Sequence, residues 1–419
     1  MKKHKYRFQR FFRNLGPGLI TGAADDDPSG ISTYSVTGAA FGYSVLWTAL
    51  FSFPLMSVVQ LMCARLGMVT GQGFAGVLRS RYPRWVVWGA CAILLVANVV
   101  NIGADLGGMG EATKLVTGVS SFVWTPFYAL FICSLLIWTS YRTIARIFKY
   151  LTLVLFAYVI TAFVVHPDWK AVLWSTLVPH FEMSHEYWAA LVGILGTTIS
   201  PYLFFWQASQ EVEEEVAKGR VTLAQRKGAT QGELRKARTD VLTGMFFSNF
   251  VMYFIMLTTG ATLHAAGKTS ITTAGQAAEA LRPLAGSGAY LLFTLGLIGA
   301  GMLGVPVLAG SCAYAISEAA NWKGSLAARF HMGRQFYGVI AVAMLVGLAL
   351  DYAGFNAVKM LFWSAVLNGV LAPPLIVLIV LLTGSVAVMG KHRNSALMMS
   401  MGWIAAAVMT AAAVAMFVT

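Results

Sequence analysis

The sequence predicts an all-α polytopic membrane protein built as two inverted halves of five spans each, ten helices in all, followed by an eleventh span. Three observations carry that prediction. Hydrophobic residues make up 58% of the chain and charged residues only 11%, against about 25% charged in soluble domains. Apolar stretches long enough to cross hydrocarbon recur along the whole chain. The first and sixth of them share an interruption, Asp25-Asp26-Asp27-Pro28-Ser29-Gly30 in one and Gly196-Thr197-Thr198-Ile199-Ser200-Pro201 in the other.

Spans are expected near residues 15–41, 44–64, 85–106, 122–140, 147–165, 187–208, 241–263, 287–316, 335–350, 357–382 and 396–418. Residues 1–14 form a basic amino-terminal segment, 15–166 the first half, 187–382 the second, and 396–418 the eleventh span. An odd number of spans per half inverts the second half. Residues 209–240 carry Glu211, Glu213, Glu214 and Glu215, then basic residues from Lys218 to Arg238. They are expected to extend the sixth span into the cytoplasm and to serve as a linker.

With the amino terminus inside, every Lys and Arg except Lys114, Lys170, Lys268, Arg282 and Lys359 falls in a cytoplasmic segment, as the positive-inside rule requires. Lys2, Lys3, Lys5, Arg7, Arg10 and Arg13 resemble a signal-peptide n-region. The apolar run after them meets Asp25 without a separate cleavage site, so the segment is expected to be retained. The net charge of +13 is thus spread as an orientation signal and not gathered into a nucleic-acid-binding surface. A bacterial-type plasma (inner) membrane is the predicted location, with the bilayer as surroundings and no nucleic-acid partner. Cys63, Cys91, Cys133 and Cys312 lack metal or redox spacing and read as small buried hydrophobes.

A carboxylate at the bilayer centre costs at least roughly 2.5 kcal/mol, and Pro and Gly disrupt helical hydrogen bonding, so the first break must line a protein-enclosed cavity. Breaks at corresponding positions of two inverted halves point to a substrate site at the membrane midplane. Freed carbonyls joined by a carboxylate make a hard oxygen cage suited to Mg²⁺, Ca²⁺ or Mn²⁺ and repel an anion. Successive helical residues turn by about 100°, so one of the three Asp side chains faces the centre. Asp27 is chosen because it precedes Pro28, where the backbone leaves the α region. Asp25 and Asp26 are left as wet-vestibule residues, caps of the second half-helix, or added ligands. Thr197 and Ser200 supply oxygens from the opposite break, and backbone carbonyls near Ser29 and Gly30 complete the shell.

Other polar positions carry two readings each. Asp105 lies deep in the third span and is a functional candidate, whereas Glu111 reads as interfacial. Asn249 and Asn368 are either packing contacts or parts of an outer gate or transient metal site. His180, Glu182, His185 and Glu186 read first as a solvated loop and second as a cation-gathering entrance, and Glu211 to Glu215 first as a solvated charge run and second as a guide for metal leaving at the cytoplasmic mouth.

Gly16-Pro17-Gly18 followed by Asp27-Pro28, Arg65-Leu66-Gly67 with Thr70-Gly71-Gln72 and Tyr82-Pro83, Ala104-Asp105-Leu106, Gly196 to Pro201, and Asp240 with Asn249 together resemble the Nramp family of divalent-metal transporters. The resemblance implies the LeuT-like ten-helix inverted-repeat transporter fold, with metal between the first and sixth spans. It implies that the metal is cargo, with no cofactor, no enzymatic activity and no obligate protein partner.

Two departures bear on selectivity. Gly30 takes the place of the family's amide ligand, and Ser200 that of its methionine, so a soft thioether becomes a hard hydroxyl. Losing protein ligands leaves room for retained water, which suits Mg²⁺. These changes resemble the Nramp-related magnesium transporter branch. The family's proton-handling histidines correspond to Tyr202 and Gln207, and its third-span glutamate to Gly108. Neither tyrosine nor glutamine titrates near neutral pH.

The expected function is alternating-access import of Mg²⁺, and also Mn²⁺, without obligatory proton coupling. At 100 mV, two charges are worth about 4.6 kcal/mol, enough for roughly a thousandfold accumulation. Proton-coupled Mn²⁺ or Fe²⁺ import is the alternative. A Na⁺-coupled organic-substrate transporter would set Asp27 against a substrate carboxylate. An intramembrane aspartyl hydrolase would need two converging carboxylates, such as Asp27 and Asp105.

Overall fold

The computed structural model describes residues 16–139, 143–144, 147, 153–327 and 330–419. The basic segment 1–14, with Arg142, Arg146, Lys149 and Arg329, lies outside the described residues. Nine helical runs among the described residues are long and apolar enough to cross a membrane. They coincide with nine of the eleven expected spans. The first span appears as two short helices, Pro17–Asp25 and Pro28–Phe41, and the fifth is described from Leu153, ending in the helix Phe156–Val164.

Several helices outrun their apolar cores. The third runs over Arg84–Thr117, 34 residues, or about 51 Å at 1.5 Å per residue, against a hydrocarbon core of about 30 Å. Left-handed glycines stop the second and third spans, Gly71 at φ +67° and Gly118 at φ +72°. There a β-carbon would be strained, and the turn closes back on the preceding carbonyls. The segment over 209–240, expected to extend the sixth span and to serve as a linker, is mostly helical. The sixth-span helix continues to Ala217, and the seventh begins at Gln231, where Thr230 and Glu233 form a reciprocal cap. Such a cap holds a polar turn helical well before the apolar stretch begins.

The third span sits centrally, packed on the eighth (Ala289–Ala320), ninth (Arg334–Asp351) and tenth (Ala357–Gly384). Both broken spans dock through glycine. A β-carbon on Gly22 would stand 2.3 Å from the Gly244 carbonyl oxygen, and one on Gly244 would stand 2.1 Å from that of Gly18. The first half-helix therefore touches the seventh span backbone to backbone. Gly196 meets Ala365 and Gly369 of the tenth span in the same way. Small residues permit this approach where apolar lipid gives helices no hydrophobic reason to associate.

Candidate functional site

In the first span the helix ends at Asp25, and Asp26 (φ −83°, ψ 57°) and Asp27 (φ −73°, ψ 172°) carry the chain out of helical geometry before Pro28 starts the second half. Proline suits a first helical position because its missing N–H would have had no partner there. Asp27 is the N-cap. Its Oδ1 accepts from the Gly30 N–H at 2.8 Å and from the Ser29 hydroxyl at 2.9 Å. Its Oδ2 accepts from Asn101 Nδ2 at 2.9 Å and lies 3.5 Å from the Tyr202 hydroxyl, which itself donates to the Ala24 carbonyl at 3.1 Å. The Asn101 carbonyl oxygen accepts from the Ser364 hydroxyl at 2.8 Å, so its amide is fixed with the N–H₂ toward the carboxylate. Residues from the first, third, sixth and tenth spans thus converge at Asp27, which is 2% exposed.

Asp105, also buried, accepts from the Ser29 N–H at 3.1 Å through Oδ1. Ser29 and Gly30 therefore act differently from the expectation. They stand in the first turn of a helix, where the unsatisfied backbone groups are N–H and not C=O. They hold the carboxylates of Asp105 and Asp27. The carbonyls freed by this break belong to the last turn of the first half-helix, Gly22 to Asp25, whose C-terminal dipole favours a cation.

Asp25 and Asp26 neither line a wet vestibule nor cap the second half-helix. Both are buried, and both accept from the Ser248 hydroxyl of the seventh span, at 2.6 and 3.3 Å. Asp25 Oδ1, Asp105 Oδ2 and Asn368 Oδ1 are buried without a hydrogen-bond partner among the described residues. Two half-engaged carboxylates beside a fully engaged one form an acceptor-rich pocket, a chemistry that suits a cation.

In the sixth span the helix His185–Thr198 stops, Ile199 and Ser200 are non-helical, and Pro201 starts the second half. The Ser200 hydroxyl donates to the carbonyls of Gly196 (2.8 Å) and Thr197 (2.7 Å), and the Thr197 hydroxyl donates to that of Ile194 (2.9 Å). A hydroxyl whose hydrogen is tied back to its own helix retains lone pairs for an ion. Gln207 accepts from the Thr21 hydroxyl at 2.7 Å and donates to Glu211 at 2.9 Å, joining the first half-helix of the first span to the second half-helix of the sixth. Asn249 does not reach the site. It donates to the Ala49 carbonyl at 2.7 Å and accepts from Ser52, tying the seventh span to the second.

A cavity of about 340 Å³ opens on one side of the breaks, lined by Ser32, Gly107, Gly108, Glu111, Asp351 and Asn356 among others. On the other side, polar contacts cross between helices. Glu318 accepts from the Ser209 hydroxyl and the Gly76 N–H, and Asp240 accepts from the N–H groups of Gly16 (2.8 Å) and Gly18 (2.7 Å). The charge run is not solvated either. Glu211 and Glu215 are buried, and Glu215 pairs with Lys218 and Arg220. Nor are the loop residues wholly free: His180 pairs with Glu182 at 3.6 Å, and His185 contacts the Met416 carbonyl of the eleventh span at 2.7 Å. All four cysteines are unpaired, with Cys63, Cys91 and Cys312 buried.

Asn101, Ser248 and Ser364 escaped the sequence reading. Asn101 stands four residues, one helical turn, before Asp105, so the two share a face of the third span. That spacing was the available signal. No group of three or more His, Cys, Asp or Glu side chains among the described residues has metal-holding geometry, so a bound ion would rest on carboxylates joined by hydroxyl, amide and carbonyl oxygens.

Comparison with known proteins bears on the fold and the family. The protein named divalent metal cation transporter MntH from Erwinia tasmaniensis is 28% identical over 399 residues, covering 93% of this chain and 90% of that one. The MntH of a Klebsiella pneumoniae strain is 26% identical over 402 residues, covering 94% and 91%. Among solved structures, the Eremococcus coleocola manganese transporter in complex with an aromatic bis-isothiourea compound superposes with a TM-score of 0.75 at 19% identity, over 97% of this chain and 86% of that one. MhsT in complex with L-phenylalanine gives 0.63 at 12% identity, over 96% and 98%, so the LeuT-like inverted-repeat fold is shared beyond metal carriers. A family model described as natural resistance-associated macrophage protein-like matches residues 18–419, and the chain belongs to that Nramp family.

Proposed function

We propose that the protein imports divalent metal cations across a bacterial-type inner membrane, with Mg²⁺ as the main cargo and Mn²⁺ also carried, by alternating access and without obligatory proton coupling. The observation that carries this reading is the buried Asp27 carboxylate at a helix break, facing the second break and gripped by donors from the third and sixth spans. The relatives named as divalent metal cation transporters support the cargo class. Ser200 in place of a thioether supports the hard ion because it removes a soft ligand, and Gly30 in place of an amide supports it because the missing ligand leaves room for retained water. Tyr202 and Gln207 support the uncoupled cycle. Each is held in a hydrogen bond as a neutral group, and neither offers a site that exchanges protons near pH 7.

In this reading the amino terminus is cytoplasmic, the cavity over Ser32 and Glu111 is the outer entrance, and the Glu318 and Asp240 contacts close the inner mouth. An ion reaching Asp27 replaces the long Tyr202 contact and the Ser29 hydroxyl at the carboxylate. Thr197, Ser200 and the last carbonyls of the first half-helix add oxygens. Retained water fills the rest of the shell, since Mg²⁺ dehydrates reluctantly. The two halves, residues 15–166 and 187–382, then move against each other about the bound ion.

The test is Mg²⁺ and Mn²⁺ flux into proteoliposomes at a set membrane potential, with internal pH recorded in the same vesicles. Mg²⁺ uptake that follows the potential and leaves internal pH unchanged is the expected result. Uptake of Mn²⁺ alone, accompanied by acidification, would overturn both the ion assignment and the uncoupled cycle.

A further inference from the structure

We infer that the start of the seventh-span helix is a binding site for an anionic phospholipid. The helix runs over Gln231–Thr259, and its first turns carry Arg235, Lys236 and Arg238, all exposed. None of the three side chains has a hydrogen-bond or ion-pair partner among the described residues, whereas the nearby Lys218 and Arg220 are paired with Glu215, and Arg220 also with Glu233. Glu215 and Glu233 are thus paired with other bases, and Asp240 is held by the backbone N–H groups of Gly16 and Gly18, so the three exposed side chains form an arc of positive charge facing outward.

Depth and direction name the occupant. The apolar stretch of this helix begins at Val241, so Arg238 to Arg235 lie three to six residues before it. At 1.5 Å per residue that is about 4.5–9 Å above the hydrocarbon, within the headgroup layer. Along the same face, three turns further on, stands Phe246, and two turns beyond it Tyr253, with Phe247 and Phe250 beside them. Phe246 is 52% exposed, and its ring lies 5.7 Å from Phe247 and 6.0 Å from Phe250. One molecule with a negative head and long acyl tails meets both features at once. The head sits among Arg235, Lys236 and Arg238, and the chains run down the aromatic strip. A soluble anion would match only the basic arc.

The site also touches the machinery of the first span. Asp240, two residues past Arg238, clamps Gly16 and Gly18 at the start of the first half-helix. A lipid held on this helix is therefore attached to the element that carries that clamp. The inference does not depend on which ion is carried.

The experiment uses the full chain in nanodiscs of phosphatidylcholine alone or of equal parts phosphatidylcholine and phosphatidylglycerol, with retained lipid read by native mass spectrometry. Each basic side chain near an anionic surface contributes roughly fivefold to association, so three contribute about a hundredfold. The expected result is preferential retention of phosphatidylglycerol by the wild type, lost by about that factor in R235Q/K236Q/R238Q. A charge-matched variant elsewhere on the basic face, R84Q/K391Q/R393Q, should keep the preference. Equal loss in both variants would reduce the effect to general surface potential and overturn the site, as would an unchanged preference in the first. Melting of both variants in pure phosphatidylcholine checks folding. Stabilisation of the wild type there by inorganic phosphate, equal to that given by phosphatidylglycerol, would also overturn the lipid assignment.

Discussion

The two helix breaks face each other but are made differently. At the first, the polar work is done by side chains: Asp27 caps the following half-helix, and Asn101, Tyr202 and Ser29 reach its carboxylate, while Asp105 holds the Ser29 N–H. At the second, Thr197 and Ser200 turn their hydrogens back onto their own helix, and the non-helical backbone at Ile199 and Ser200 is left as the main feature. The first break supplies charge and the second supplies shape. A cation bound between them should therefore be far more sensitive to changes in the first.

The largest expected effect is at Asp27. Asn caps helices about as well as Asp, so Asp27→Asn should keep the second half-helix and the overall fold while abolishing metal uptake in proteoliposomes. Normal uptake by a folded D27N protein would sink the site assignment and the contrast between the breaks together. Next comes Asn101→Ala, which leaves Oδ2 of Asp27 with only the 3.5 Å Tyr202 contact. Loss of a partner behind a metal ligand costs roughly 10–100-fold in affinity, to be read from the concentration dependence of uptake; a loss smaller than that of Ser200→Ala would reverse the comparison.

Selectivity should respond at both breaks. A β-carbon at Gly30 would meet its nearest neighbour, a Tyr34 ring carbon, at 3.4 Å, an ordinary contact, and Gly30→Asn returns an amide oxygen to the first break. With Ser200→Met, which adds a thioether at the second, the expected change is a rise in Mn²⁺ uptake relative to Mg²⁺, measured by competition. The smallest effect is expected from Ser200→Ala, which removes a hydroxyl bonded within its own helix and should cost about 0.5–1 kcal/mol in binding at most. A loss as severe as that of D27N would show the hydroxyl to be an essential ligand and would erase the distinction between charge and shape.

Much of this was legible in the chain because membranes punish irregularity. Pro28, Pro201 and the carboxylates around Asp27 could survive in apolar spans only at a purposeful break, and the basic clusters between spans marked the helix ends. Side-chain bookkeeping was harder to read. Asp25 and Asp26 depend on Ser248, which lies 223 and 222 residues away in sequence, and nothing local reports such a contact. The same holds for Ser364 behind Asn101, although the one-turn spacing of Asn101 and Asp105 was visible. Charge runs generally face solvent, so nothing local marks Glu211 and Glu215 as buried. Gln207, Lys218 and Arg220 neutralise or satisfy them instead. The helical start of the seventh span within 209–240 is hard to see for a related reason, since a reciprocal Thr230–Glu233 cap keeps polar residues helical.

The glycine seam between the first half-helix and the seventh span has a mechanical consequence. With no side chain between Gly18, Gly22 and Gly244, and with Asp240 fastening the start of the first half-helix, the two helices share one clearance and, in the proposed cycle, move as a single two-stranded lever. Its fulcrum is the non-helical pair Asp26 and Asp27, the stretch of backbone already released from helical bonding. In the proposed cycle, opening the inner mouth thus requires either that the seventh span travel with the first, or that the fastening at Gly16 and Gly18 come undone before anything swings.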